Sequence, residues 1–257
     1  MDFECIIYEK EEATAIIKLN RPKVLNAMNK QLWIDFTAAL EDAKTDPVVK
    51  VLIITGEGRA FSTGADQKES KSINLEDYRE HLVDVQETSR KLIRFEKPTI
   101  AAINGYALGS GCELALACDI RIAAVDAQIG SPEAKVESSV TGGAIRLIQD
   151  LIGPGKAREF LFMGEYIHGK EAARIGLVNR AVPLDQLMDT AKEMADKIAE
   201  KSDFSIKMIK KGLLMASAGV SLEGVMDYEI EASLACASVK KRQTELKDLA
   251  ERKKTSQ

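Results

Sequence analysis

Apolar and polar positions change their period along this chain, and the changes outline its elements. Residues 3–8 and 13–19 are β-rich runs separated by the charged residues 9–12. In the second run Ala13, Ala15, Ile17 and Leu19 alternate with Thr14, Ile16 and Lys18, which predicts an opening hairpin. After Pro22, the residues Leu32, Phe36, Ala39, Leu40 and Ala43 recur at helical spacing, with Asn26 or Asn29 as N-cap and an end near Asp46-Pro47. Residues 48–55 then read as an almost continuously apolar strand closing at Gly56, the pattern of a strand covered on both faces. The plan recurs. Leu75, Tyr78, Leu82, Val85 and Leu92 form a helical stripe, 98–104 a buried strand, 112–118 a short apolar helix and 120–124 a further strand.

Val51 and Thr99 lie 48 positions apart, and strand, loop and helix recurring at that spacing predict an α/β spiral of stacked β-β-α turns. Beyond Pro183 the pattern changes: 184–201, 203–218 and 222–252 are helical almost throughout, interrupted at Gly212, Gly219 and Gly224. A boundary near 198–203 divides an α/β body, residues 1–200, from a helical region, 201–257. That region is too small to bury its own core and is expected to pack on the body or on another subunit.

With 45% hydrophobic and 30% charged residues among 257, the composition is that of an ordinary globular protein. The balance of 36 Lys+Arg against 40 Asp+Glu gives a net charge of −4 and argues against a nucleic-acid partner. Cys5, Cys112, Cys118 and Cys236 form no CxxC pair and read as reduced thiols. The chain has no 18-residue apolar span, and its acidic start carries no targeting pattern, so a cytoplasmic protein without a membrane partner is expected. Only two histidines occur, His81 and His168. Their scarcity shifts the search for chemistry toward carboxylates.

Several nucleotide and hydrolase motifs are absent: Gly109-Ser-Gly111 lacks the third glycine of GxGxxG, 153–157 is no Walker loop, and neither GxSxG nor HExxH occurs. Two glycine-bearing turns remain at strand ends, Phe61-Ser-Thr-Gly-Ala-Asp-Gln67 and Asn104-Gly-Tyr-Ala-Leu-Gly-Ser-Gly-Cys-Glu113. Small residues there let a ligand approach the backbone, and open N–H groups at a helix start favour an anion or a developing oxyanion. Gly64, Asp66, Gln67, Gly109 and Gly111 are therefore candidate substrate-binding positions, although tight packing of a βα turn explains either loop alone. Two acids accompany these turns, Glu113 at the end of the second and Glu133 beyond the strand that follows it. Each by itself reads as an ordinary acid near a helix start. Converging on one apolar pocket, they would supply an acid/base pair without histidine.

Asn26-Ala-Met, Leu52-Ile-Ile-Thr-Gly with Ala60-Phe-Ser-Thr-Gly-Ala-Asp66, the whole run 97–119, and Gly164 through Ala172-Ala-Arg-Ile-Gly-Leu-Val-Asn179 resemble the enoyl-CoA hydratase/isomerase (crotonase) family. The resemblance runs from about residue 10 to the C-terminus. It implies a crotonase-like spiral of β-β-α repeats with a helical C-terminal trimerisation region, assembled as a homotrimer or a dimer of trimers. It also implies an acyl-CoA thioester substrate, with coenzyme A part of that substrate and no metal or other cofactor. By the family pattern the backbone N–H groups of Ala65 and Ser110 form an oxyanion hole, and Glu113 and Glu133 match the two catalytic glutamates of the hydratases. The implied activity is an enoyl-CoA hydratase, a lyase of fatty acid metabolism (β-oxidation). Its rivals are an enoyl-CoA isomerase or another crotonase-type lyase or hydrolase and, from a different class, a non-catalytic acyl-CoA- or RNA-binding scaffold.

Two departures from the family pattern bear on the acyl group. Ser110 stands where hydratases carry a further glycine, which keeps the backbone donor but narrows the site. Residues 134–146 lack the Pro-Gly-Ala-Gly-Gly form of short-chain hydratases and are one residue shorter, pointing to an altered chain preference or a cyclic or aromatic acyl group. Glu137 is an extra acid there, read as part of a solvated helix. The charged stretch 67–80 suits a mobile flap or an exposed connection. Residues 240–254 carry a local charge of +4, a solvated helix end by default and a contact for CoA phosphates as the alternative. Trp33 reads as packing, His81 as a surface helix residue and His168 as a loop residue.

Overall fold

The computed structural model describes residues 2–71 and 73–255, with side chains described as far as residue 245. In chain order the first elements are β1 (Ile6–Glu11), β2 (Thr14–Leu19), α1 (Lys30–Thr45), β3 (Val51–Gly56), β4 (Ala60–Ser62), α2 (Gln67–Ser70) and α3 (Leu75–Ile93). Next come β5 (Thr99–Ile103), β6 (Tyr106–Leu108), α4 (Ser110–Leu116), β7 (Ile120–Ala124), β8 (Gln128–Gly130) and α5 (Ala144–Met163). The chain continues through β9 (Tyr166–His168), α6 (Gly169–Arg174), β10 (Arg180–Val182), α7 (Leu187–Ala199), α8 (Asp203–Ser217) and α9 (Leu222–Thr255).

β1 and β2 form the expected antiparallel hairpin, with Ile6 opposite Leu19. From β2 onward the pairing is parallel, giving a six-stranded sheet in the order β1-β2-β3-β5-β7-β10 and a second sheet of short strands, β4-β6-β8-β9. Each of β3, β5 and β7 hands the chain to a strand of the second sheet, then to helix. This is the predicted spiral, and its structural neighbours, described below, share it. The pitch in sequence is uneven: a long helix, α3, separates the layer begun at Val51 from the one begun at Thr99, whereas only the short α4 precedes the next start at Ile120.

Both faces of the large sheet are covered, which accounts for its unbroken apolar strands. One face, with Ile16, Val51, Ile53, Ile100, Ala102 and Ile122, packs on Leu187, Ala191 and Ala195 of α7. The alternating residues, among them Ile17, Leu52, Ile54, Ala101 and Ile103, join Leu32, Phe36 and Leu40 of α1 in the larger core. α1 starts at Asn29, whose side chain accepts a hydrogen bond from Leu32 N–H at 3.0 Å. At its other end Lys97 Nζ donates to the carbonyls of Ala43 and Asp46, both at 2.6 Å, satisfying terminal acceptors. None of the four cysteines forms a disulfide among the described residues, and Cys5, Cys112 and Cys118 are buried.

Several expectations are corrected. β3 begins at Val51 rather than at 48, because Val48 lies in a turn closed by its N–H donating to Asp46 Oδ1 at 2.8 Å, with its side chain exposed. The stretch 67–80 is not one loop; it carries α2 and the first turns of α3, each capped by its own side chain, Asp66 and Asn74. His168 closes β9 rather than lying in a loop. The helices α5 and α6 and the strands β9 and β10 have no counterpart in the predicted pattern. α5 is interrupted at Gly153, whose φ of 75° and ψ of 162° precede Pro154, and that kink breaks the helical period.

The chain divides into two compact units, Met1–Glu200 and Lys201–Gln257. In the second, α8 and α9 run antiparallel: Ser205 faces Cys236 and Tyr228 Oη donates to the Met208 carbonyl at 2.8 Å. Among the described residues no helix is long and apolar enough to cross a membrane.

Asn26 is fully buried in the left-handed region at φ 56°. Its side-chain nitrogen donates to the carbonyls of Glu57 and Ala60 at 3.0 and 2.7 Å, and its oxygen accepts from Arg21 N–H at 2.8 Å. Asn26→Ala is expected to lower stability by roughly 3 kcal/mol, about one for each lost bond. A urea titration with an unchanged midpoint would refute this anchoring role.

Candidate active site

The site is assembled where two backbone turns touch. After β4 the chain turns through Gly64, at φ 92°. It is held against residues 25–28 by three backbone bonds: Thr63 N–H to Leu25 O, Met28 N–H to Gly64 O, and Asp66 N–H to Met28 O, at 3.1, 2.8 and 3.0 Å. After β6 the chain turns through Gly109, at φ 54°, directly into α4. A Cβ placed on Gly64 would lie 2.8 Å from Leu108 O and 3.1 Å from Ser110 N, so the two turns pack with no room for a side chain. The N–H groups of Ala65 and Ser110 follow these glycines, and neither donates a hydrogen bond to any partner among the described residues. The Ser110 N–H belongs to the first turn of α4, whose donors have no intrahelical acceptor.

Glu113 is on that first turn and is only 3% exposed. Its Oε1 accepts from Thr141 N–H at 2.5 Å and its Oε2 from Thr141 Oγ1 at 2.6 Å. Burial pushes its carboxyl above the usual range. The two Thr141 donors oppose that shift, the nearby charge of Glu133 adds to it, and the Ser110 hydroxyl opposes it more weakly. Glu133 opens the short 3-10 turn Glu133–Val136 that follows β8. Its Oε1 sits 3.1 Å from where a Gly109 Cβ would be, while its Oε2 is buried with no hydrogen-bond partner. Burial pushes this carboxyl up too, against smaller opposing contributions from its own N–H and the nearby Ser131 hydroxyl. That hydroxyl is itself buried and completes no hydrogen bond. The two acids, well separated in sequence, therefore meet at the paired glycine turns. Such a group can hold a polarised carbonyl oxygen on two N–H donors while carboxyls exchange protons beside it.

The remaining candidates are placed differently. Asp66 is committed to structure: it caps α2 and accepts from Arg21 Nη1 at 2.8 Å, and the guanidinium holds its carboxyl below the usual range. Gln67 stands at the start of α2, the first residue after that cap. Gly111 is a packing residue, since a Cβ there would lie 2.2 Å from Ser62 O. Glu137 is not on a helix; it closes the 3-10 turn as an exposed, left-handed residue at φ 56°. Trp33 and His81 line a cleft of about 840 Å³ between α1 and α3, whose lining includes neither Glu113 nor Glu133. Side chains of the basic stretch 240–254 lie largely outside the described residues.

Thr141, Ser131 and the Arg21 anchor escape a reading of the sequence. The signal available for Thr141 is its place before Gly142-Gly143, a pair at φ 59° and 82°. A Cβ on Gly142 would stand 3.3 Å from Glu113 Cβ, so glycine there lets the loop reach the carboxylate.

Comparison with known proteins identifies the family. Residues 9–256 match the family model described as Enoyl-CoA hydratase/isomerase. A crotonyl-CoA hydratase from Syntrophomonas wolfei is 36% identical over 100% of this chain and 98% of its own, and a short-chain-enoyl-CoA hydratase from Clostridium acetobutylicum is 35% identical over 99% and 97%. Among solved structures, an enoyl-CoA hydratase from Bacillus anthracis superposes with a TM-score of 0.90 at 32% identity, covering 97% of each chain. A monofunctional enoyl CoA isomerase from M. smegmatis gives 0.75 at 33% identity, covering 86% of this chain and 98% of that one. From its paired glycine turns to its helical C-terminus, this chain belongs to the enoyl-CoA hydratase/isomerase family.

Proposed function

We propose that the protein is an enoyl-CoA hydratase that adds water across the 2,3 double bond of an acyl-CoA thioester. The observation that carries this reading is the meeting of two unpaired N–H donors, Ala65 and Ser110, with two carboxyls, Glu113 buried and Glu133 half-buried with its Oε2 shielded. The thioester oxygen rests on the two N–H groups, where charge developing during addition is stabilised by a few kcal/mol per donor. Glu113 takes a proton from water as its oxygen bonds to the β-carbon, and Glu133 gives a proton to the α-carbon. The environments support that division. Glu113 has two donors sustaining its ionised form, whereas Glu133 Oε2 has none and is better kept protonated. Moving a proton between carbons, as an isomerase does, needs one carboxyl only, so the presence of both favours hydration. The reading calls for no metal or redox cofactor.

Glu113→Gln and Glu133→Gln are each expected to reduce the loss of crotonyl-CoA absorbance by roughly 10²–10⁴-fold. Full hydration by either variant would sink the two-acid mechanism, and retained isomerisation with lost hydration would favour the isomerase. A panel of linear, branched and cyclic enoyl-CoA esters reads the consequence of Ser110 and the shortened stretch 134–146.

The same acids carry a stability cost. A carboxyl whose folded pKa is raised contributes fully below its unfolded value, and that contribution is lost as pH climbs through the folded value. Glu133→Gln should therefore raise the urea midpoint near pH 8, with the gain shrinking toward pH 4. A gain that grows on acidification would contradict the raised carboxyl.

We read the helical unit as the surface on which copies associate into a homotrimer or a dimer of trimers. Leu222, Met226, Ile230 and Leu234 recur every four residues on α9 and are exposed, as are Ile209 and Leu213 on α8, an apolar area of the kind that marks an interface. Light scattering should give three or six chains per particle, and Ile230→Asp should lower that number; a monomeric parent would refute the assembly.

A further inference from the structure

We propose that Thr141 is a positioning residue that holds Glu113 in its ionised, base-competent orientation and so decides which of the two acids abstracts the proton. This rests on the hydratase reading above. One residue supplies a donor to each oxygen, its N–H to Oε1 at 2.5 Å and its hydroxyl to Oε2 at 2.6 Å. A carboxylate oxygen can accept more than one hydrogen bond, so each keeps a lone pair for water.

The clamp is built into the backbone. Gly142 and Gly143 are both left-handed, and a side chain on Gly142 would press on Ser89 Oγ at 3.2 Å and Glu113 Cβ at 3.3 Å. Glu133 receives nothing comparable: its Oε2 is buried without a partner. The asymmetry between the two acids therefore traces chiefly to Thr141.

The charges facing Glu113 are few. Glu133 is the nearby acid and Cys112 the neighbouring thiol on α4, its ionisation suppressed by burial. Of the strands packed on α4, β4 contributes Ala60, Phe61 and Ser62, and β6 has Tyr106 as its titratable residue. On α5 the first charged side chain, Arg146, is exposed and paired with Asp150 at 2.8 Å. No cation among these takes over when the Thr141 hydroxyl is removed, and the Ser110 hydroxyl is the weaker of the donors that oppose the upward shift.

Thr141→Val keeps the shape and the N–H but deletes the hydroxyl; Thr141→Ser restores it. The pH profile of kcat/KM for crotonyl-CoA hydration reports the ionisation of the free enzyme's base on its acidic limb. Thr141→Val should move that limb up by about one pH unit, the equivalent of one hydrogen bond to a charged group. Activity would then fall about tenfold below the limb and recover above it, with Thr141→Ser returning the limb to its original position. A purely structural role would lower activity at every pH and leave the limb in place, which would overturn the proposal. Titration of the Glu113 carboxyl by ¹³C NMR, assigned by its loss in Glu113→Gln, makes the same test without substrate. Its midpoint should rise in Thr141→Val, and an unchanged midpoint would refute the clamp. If the unaltered protein hydrates no ester of the linear, branched and cyclic enoyl-CoA panel, the hydratase reading falls while the NMR midpoint still decides the role of Thr141.

Discussion

The contact between the Gly64 turn and the Gly109 turn is the constraint on which the rest of the site depends. Two backbones approach so closely that a single methyl group at Gly64 would meet a carbonyl oxygen at 2.8 Å. The N–H groups of Ala65 and Ser110 belong to the residues that follow these two glycines, and Ser110 N lies 3.1 Å from where a Gly64 Cβ would stand. Much of the surrounding structure serves that approach. Gly111 lets α4 sit on Ser62, with 2.2 Å left for any added Cβ. Asn26 and Ser62 Oγ, which donates to the Asn26 carbonyl at 2.8 Å, pin the segment that pairs with Gly64 and Ala65. Arg21 reaches past it to Asp66. The layers of the spiral bring β4 beside β6 in parallel, across one irregularity between Ala60 and Ser62, so the turns that follow them leave the sheet at the same end.

Placing two acids beside those turns is electrostatically unfavourable, since burial opposes charge on both and each raises the cost of ionising the other. The fold compensates one acid and leaves the other bare. Thr141 answers Glu113 with two donors, while Glu133 Oε2 and Ser131 Oγ lie buried without partners. Unsatisfied buried polar atoms are rare in folded proteins and mark places where a ligand or a reaction makes use of them. In the proposed hydration this imbalance gives two chemically identical side chains opposite tasks.

Much of this is legible from local pattern. The helical spacing of Leu32, Phe36 and Leu40 identifies α1, the run 120–124 is a strand to the residue, and the glycine turns stand out because small residues at strand ends have few other uses. Strands as short as β4, β6 and β8 leave no period to detect, since they exist by pairing with one another rather than by burying an alternating face. The kink at Gly153 conceals α5 for a related reason: one non-helical residue divides the helix into halves whose phases do not match. Asp66 and Gly111 are candidates for ligand contact by position alone. Their partners, Arg21 and Ser62, lie in other layers of the spiral, and no sequence window contains both members of either pair.

The sequence by itself determined the class of fold, the turns where a backbone can be approached, and the acids available once histidine is set aside, because periodicity, glycine and residue chemistry are local properties. The tertiary structure alone decided that Glu113 and Glu133 converge, that one is clamped and the other is not, and that Asp66 serves the scaffold. Those facts depend on distances across layers of the spiral, where a hydrogen bond of 2.6 Å from Thr141 to Glu113 joins residues 28 positions apart.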